Sequence, residues 1–243
     1  MALGSNDRQF RFNWRVTTFS VIFLTVFVNL GLWQMDRSKE KEEIMAEQLS
    51  LKHQLPARIT ELAELGNLTT GYPVVFEGQW LTAPILLLDN VVLEGKVGYE
   101  VLTLVVRGEQ TVLVNRGFVP MKDNRSELPD IPLLLGDRVE GEVYPGEVNL
   151  MIDGAIEEMA ESVIRIQRVD TEMLSQHLNM NIVPVVIRLV ESHPDALPRY
   201  WPMTNMLPEK HTGYAIQWFL MAAAVLVAWF FFSFPSRAAT SVE

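Results

Sequence analysis

The sequence contains no cysteine. Disulfides, cysteine-ligated zinc, iron–sulfur clusters and thiol catalysis are therefore excluded. It also lacks a basic excess: 20 Lys and Arg stand against 30 Asp and Glu, for a formal net charge of −10. An acidic chain with no basic tract has nothing to neutralise phosphates with, so nucleic acid is excluded as a partner. Histidine is scarce. His53, His177, His193 and His211 are the whole set, and no two stand at metal-ligand spacing. There is no G-x-S-x-G elbow, P-loop, G-x-G-x-x-G or H-E-x-x-H motif. Paired carboxylates such as Glu42-Glu43 and Glu157-Glu158 lie in charge-rich stretches and read as solvated faces. No reaction type follows from these residues, and the chain is not expected to be an enzyme.

Charge is missing altogether from residues 16–35 and 212–236. The first apolar run extends from Val16 to Met35, the second from Tyr214 to Phe234. At about 1.5 Å per residue, either is long enough to cross roughly 30 Å of hydrocarbon. Backbone groups in lipid must be satisfied within the segment, so both are predicted to be transmembrane helices. The first run is longer than a signal-peptide core, and no small-x-small site follows it. It reads as an uncleaved anchor. The residues before it lack the Ser-rich amphipathic character of a mitochondrial presequence. Only short tails weigh on orientation, and the first tail carries Arg8, Arg11 and Arg15. The expected layout is a cytoplasmic tail 1–15, transmembrane helix 16–35, a periplasmic domain 36–210, transmembrane helix 211–235 and a cytoplasmic tail 236–243.

The segment between the runs is acidic, with 16 basic and 28 acidic residues. Residues 36–55 continue as a charged helix, and a second short helix is predicted over Ala57 to Leu65, after Pro56. Strand-like runs follow: Pro73–Trp80, Ile85–Asn90, Gly98–Val106, Thr111–Val119, Arg138–Val143, Val163–Arg168 and Val183–Val190. One further helix, Thr171 to Leu178, is predicted behind an Asp170 N-cap. The expected fold class is a membrane-anchored α+β protein. Two transmembrane helices flank an extracytoplasmic domain that is antiparallel, β-rich and barrel-like.

Chemistry concentrates at the membrane boundary. His211 stands three residues before the second apolar run. Helical spacing puts Tyr214, Ala215, Trp218 and Ala222 on or near its face. Trp33 and Gln34 lie at the matching depth of the first helix, with Arg37 one turn further out. An imidazole can ligate iron, aromatic rings can pack on a macrocycle and a guanidinium can pair a propionate, so the set suits haem. The same residues also fit interfacial anchoring: Trp and Tyr form belts at head-group level, and a Lys-His pair can snorkel there. Gln34 and Gln217 either bond across the helix pair or sit at the interface. A rival copper reading uses Met203, Met206, His193 and His211. Asn115-Arg116-Gly117 reads as a bulge or turn carrying a structural Arg116, with partner contact as the alternative. Tyr99 and Phe118 read as core residues.

Four segments resemble the Surfeit-locus-one family. Leu30-Gly31-Leu32-Trp33-Gln34-Met35-Asp36-Arg37 resembles its L-G-x-W-Q-x-x-R. Leu88-Asp89-Asn90 followed by Gly98-Tyr99-Glu100-Val101-Leu102-Thr103 resembles its l-D-N-x…G-Y-x-v-x-T pair. Val114-Asn115-Arg116-Gly117-Phe118-Val119-Pro120 resembles its V-N-R-G-W-V-P. His211-Thr212-Gly213-Tyr214-Ala215-Ile216-Gln217-Trp218-Phe219 resembles its H-x-x-Y-A-x-Q-W-F. Departures are Val91, Leu104, Phe118 and the Glu209-Lys210 pair. The resemblance implies an integral-membrane assembly factor for cytochrome c oxidase, acting on the haem a centre of the core subunit, and the missing presequence character points to a bacterial inner-membrane member. It implies haem a as a transient cofactor with His211 as its ligand. Tyr214, Trp218, Trp33 and Arg37 are then candidate contacts, Arg37 by the propionate argument alone. The oxidase core subunit, membrane lipid and haem a synthase are the candidate partners. Two rival functions remain: a structural chaperone that binds no haem, and a membrane-anchored enzyme or sensor for which no residue cluster provides a site.

Overall fold

A computed structural model describes residues 12–125, 127–146 and 156–234. Most of the two tails expected in the cytoplasm lies outside the described residues. Among the described residues there are three α-helices: α1, Trp14–Lys52; α2, Thr171–Leu178; and α3, Pro208–Ser233. The chain divides into a helical unit, residues 1–47 with 202–243, and a second unit, residues 48–201.

In the helical unit, α1 is one unbroken helix of 39 residues. The apolar run and the charged segment after it are therefore a single element. No Pro or Gly stands at their junction, and Arg37 pairs with Glu40 one turn on, at 2.6 Å. At about 1.5 Å per residue the helix is roughly 58 Å long, well beyond a bilayer's hydrocarbon thickness. Among the described residues, α1 and α3 are the two helices long and apolar enough to cross a membrane.

The two helices run antiparallel. Trp229 Nε1 donates to Thr17 Oγ1 at 3.2 Å. Phe27 stacks on Trp218 with ring centroids 5.7 Å apart. Gly31 lies under Phe219, whose ring is so close that a Cβ would come within 2.6 Å of it. At the far end Ser38 Oγ meets Pro208 O at 3.0 Å and Thr212 Oγ1 at 2.9 Å. Small residues and side-chain hydrogen bonds hold such a pair where lipid offers no hydrophobic drive, and Ser20, Ala215 and Ala222 are buried accordingly. The outer faces expose Phe19, Ile22, Leu220 and Phe232. A cysteine-free chain makes the register easy to test. Ser38→Cys with Thr212→Cys is expected to oxidise within one chain and shift its mobility on a non-reducing gel. A sliding helix pair would leave the two thiols free.

The second unit is a ten-stranded sheet. Its strands are β1 Ala57–Arg58, β2 Pro73–Glu77, β3 Gln79–Trp80, β4 Ile85–Leu93, β5 Lys96–Arg107, β6 Gln110–Pro120, β7 Arg138–Pro145, β8 Ile156–Ala160, β9 Val163–Ile166 and β10 Ile182–Leu189. The order is β1-β2-β7-β10-β6-β5-β4-β9-β8, with β3 beside β5. The antiparallel, barrel-like expectation is corrected on both counts. β1/β2, β10/β6 and β4/β9 pair in parallel, so the sheet is mixed. It is also open, with β1 and β8 at its edges. Covering layers, rather than closure, bury its faces. Leu62 and Leu65 of a 3-10 helix, Leu62–Asn67, pack with Val74, Val114 and Ile187 on one face. Leu174 of α2 packs with Leu86, Leu102 and Leu113 on the other. Residues 111–119 of β6 are consequently all buried.

Two further expectations change. The short helix predicted over Ala57 to Leu65 is instead β1 and the 3-10 helix, because Ala57 and Arg58 pair with Val74 and Val75. Long-range pairing outranks local propensity there. β8 escaped notice because Glu157-Glu158 read as a solvated face. Both stand in register with β9, where Glu157 is opposite Arg165. α2 forms where expected, with Asp170 accepting from Met173 N at 3.0 Å.

Candidate functional site

His211 lies in the first turn of α3, behind Pro208 at the N1 end. Its Nδ1 is 2.7 Å from Gln34 Oε1 on α1. Of the two readings for Gln34, the structure selects a bond across the helix pair. With the amide oxygen accepting, the neutral form of the ring carries its proton on Nδ1 and its lone pair on Nε2. Nε2 has no hydrogen-bond partner among the described residues. Trp218 falls two turns along the same face, against Phe27. Trp33 and Tyr214 are exposed. Arg37 is about half exposed and held by Glu40. The structure thus joins His211 to Gln34 directly, and leaves Trp33, Tyr214 and Arg37 on the surface of the helical unit.

His193 is built differently. Its Nε2 meets Arg138 O at 2.9 Å, and its Nδ1 accepts from Asp195 N at 3.1 Å. Both ring nitrogens are engaged, so the copper reading loses one of its two imidazoles. Among the described residues, no group of three or more His, Asp or Glu is placed to hold a metal ion.

The second unit gathers the other motif residues on adjacent strands. The β4/β5 register slips between Leu88 and Val91, where Asn90 adopts φ +61°. The β5/β6 register slips beside Val101 and Leu102, opposite Asn115 and Gly117, and Gly117 has φ +118°. Bulges of this kind re-aim side chains. Asp89, nearly fully buried, accepts from Arg125 and from Gln167 Nε2 at 3.1 Å, with Arg165 Nε 3.8 Å away. Arg165 also binds Glu157 at 2.5 Å, and that bond raises the guanidinium's pKa. Arg116 is 1% exposed and donates to Asp195 O at 3.2 Å and Pro132 O at 2.9 Å. Burial lowers its pKa, against the opposing pull of Asp195. Arg116 is thus a structural clamp on two loops, closed to a partner. Tyr99 and Phe118 are buried, as expected.

A cavity of about 290 Å³ opens beside these bulges, lined among others by Asp89, Asn90, Glu100, Asn115, Tyr144 and Arg188. Sequence reading missed it. Tyr144, Gln167 and Arg188 stand on three separate segments, and none belongs to a motif that reads as chemistry.

Residues 21–223 match the SURF1 family, which is most of the chain and takes in both the His211–Gln34 pair and the bulged strands. The chain belongs to the SURF1 family. That family is known for cytochrome oxidase assembly, and its members are assembly factors that are generally not enzymes. Comparison with curated proteins finds no match. The two apolar helices of this SURF1-family chain are compatible with membrane anchoring.

Proposed function

We propose that this chain is a membrane-anchored assembly factor that binds or hands over haem a during maturation of the cytochrome c oxidase core subunit. The layout proposed is that of a bacterial inner-membrane protein, with residues 36–210 facing the periplasm and both tails in the cytoplasm. The oxidase core subunit is the proposed partner, with haem a synthase as a candidate donor.

The observation that carries the reading is the bond between His211 Nδ1 and Gln34 Oε1. Metal-ligating histidines are characteristically oriented by such a bond at the other ring nitrogen, which fixes the tautomer and raises ligand basicity. His211 would hold the iron through Nε2. Trp33, Tyr214 and Trp218 would supply aromatic contacts. Arg37 would exchange Glu40 for a propionate, since an exposed ion pair is worth only about 0–1 kcal/mol. Haem a, when bound, is the group being delivered, and its redox chemistry belongs to the oxidase.

The test is an optical spectrum of the protein purified in mild detergent from cells that make haem a. Soret and α bands at a fixed haem-to-protein ratio are the expected result. A colourless protein would overturn haem handling and leave a structural chaperone, with Trp33 and Tyr214 as interfacial anchors.

A further inference from the structure

Two opposite charges face the cavity beside the bulged strands without meeting each other. Glu100 on β5 accepts from Asn115 Nδ2 at 2.6 Å and from Trp201 Nε1 at 2.7 Å. Both donors are neutral. Arg188 on β10 lies with its guanidinium 3.8 Å from the Tyr144 ring centroid and 4.9 Å from that of Trp201. Among the described residues neither Glu100 nor Arg188 is in an ion pair. Both line the same cavity.

The separation is built into the sheet. Arg188 stands in register with Asn115, and Asn115 bonds Glu100 on the next strand. The two charged residues are thus two strand spacings apart, roughly 10 Å across the sheet, with Glu100 further displaced along β5 because it pairs Phe118. Asn115 is the spacer between them. Its amide is already used, with Nδ2 on Glu100 and Oδ1 accepting from Gly117 N at 3.0 Å.

Each charge keeps capacity for a ligand. A carboxylate has about four lone-pair sites, and Glu100 uses two here. Arg188 lies over two aromatic rings and hydrogen-bonds Tyr144, and the remaining N–H groups of its guanidinium can pair a carboxylate or phosphate. Arg188 has Glu142 as its cross-strand neighbour on β7, whereas Glu100 has neutral donors only, and a half-buried charge without a counter-charge is costly. Between them stands Asn115, and Leu88, Val169 and Val186 supply the apolar part of the lining. The register slips in β4 and in β5/β6 fall at this cavity and deliver Asn90 and Asn115 to it. Bulges are over-represented beside such sites.

We propose that this cleft binds a small zwitterion, with its ammonium on Glu100, its anionic group on Arg188 and its short linker spanning the Asn115 strand between them. At about 290 Å³ the cavity stands at the small end of ligand sites, which limits the occupant to an amino-acid-sized molecule or a single lipid headgroup. A free amino acid and a phosphoethanolamine headgroup share this chemistry. The proposal is independent of the haem reading and concerns a different unit of the chain.

The experiment is isothermal titration of the full-length protein in a non-ionic maltoside. The probes are glycine, γ-aminobutyrate and ε-aminohexanoate, which step the charge separation, and glycerophosphoethanolamine, which carries the headgroup. Butyrate and butylamine supply each charge alone. At least one zwitterion is expected to bind at least about tenfold more tightly than either singly charged probe. Glu100→Gln and Arg188→Gln are each expected to weaken it by about tenfold or more, with the unfolding temperature tracked alongside. Preference for the amino-acid series or for the headgroup names the source. Failure of every zwitterion to bind in the millimolar range overturns the proposal. So does equal binding of a singly charged probe to the parent protein, a comparison that needs no variant to fold.

Discussion

His211→Ala is expected to remove the Soret and α bands from the purified protein while its far-UV circular dichroism stays unchanged. The side chain lies in the first turn of α3, partly exposed, and among the described residues it hydrogen-bonds Gln34 alone. Its loss therefore leaves no buried cavity, and the helix pair keeps the Trp229–Thr17 and Ser38–Thr212 bonds. Gln34→Leu is the informative companion. It leaves the imidazole in place but frees Nδ1 from its acceptor, so both tautomers and several ring orientations become available. Loss of an outer-shell partner of this kind typically costs about 10–100-fold in metal affinity. The expected order of haem content is parent, then Gln34→Leu, then His211→Ala. Equal haem in all three would remove His211 as the ligand. Unfolding of His211→Ala would show instead that the pair is a structural tie.

Gly117→Ala is expected to destabilise the second unit by about 3 kcal/mol or more. Its φ of +118° is outside the range that an L side chain adopts without strain. Its Cβ would also meet two backbone oxygens, Leu197 O at 2.6 Å and Pro198 O at 2.8 Å. These carbonyls cannot swing aside cheaply. The segment they belong to is tied to β6, with Leu197 N donating to Arg116 O and Phe118 N to Pro198 O, each at 2.7 Å. Gly95→Ala is the control. It too has a positive φ, +78°, but nothing lies within 4 Å of its Cβ, so about 1–2 kcal/mol is expected. Thermal unfolding followed by circular dichroism separates the two. Equal shifts for both variants would mean that the Leu197–Pro198 segment yields, and that the close approach is incidental.

How much of this was legible in the sequence differs by element. The apolar helices are written in the absence of charge, and α2 in the Asp170 cap, because both signals are local. Gly31 and Ala222 gave no sign of their part in the pairing, since smallness means something only beside a ring such as Phe219. The barrel expectation failed for a related reason. Alternation marks strands such as β6 but carries nothing about neighbours, and β10 joins β6 in parallel only after β7, β8, β9 and α2 have intervened. His211 stood out by its place at a membrane boundary and by the family resemblance. The Glu100–Arg188 cleft did not, because its charges come from strands whose proximity is set by that same unreadable insertion.

The place of β10 in the sheet has a consequence for how the protein is made. Residues 182–189 are the last strand to leave the ribosome, yet they lie between β7 and β6. Until they emerge, β1-β2-β7 and β6-β5-β4-β9-β8 are two separate sheets, each with a raw inner edge. From the completion of β7 until β10 emerges the nascent chain therefore carries two unpaired edges, and edges of this kind recruit other strands. Assembly of the sheet is a late, single event, completed by a segment that arrives just before the second apolar helix. A message that stops short of codon 182 yields two sticky halves rather than a smaller stable domain, and such truncated products are fated for aggregation or proteolysis.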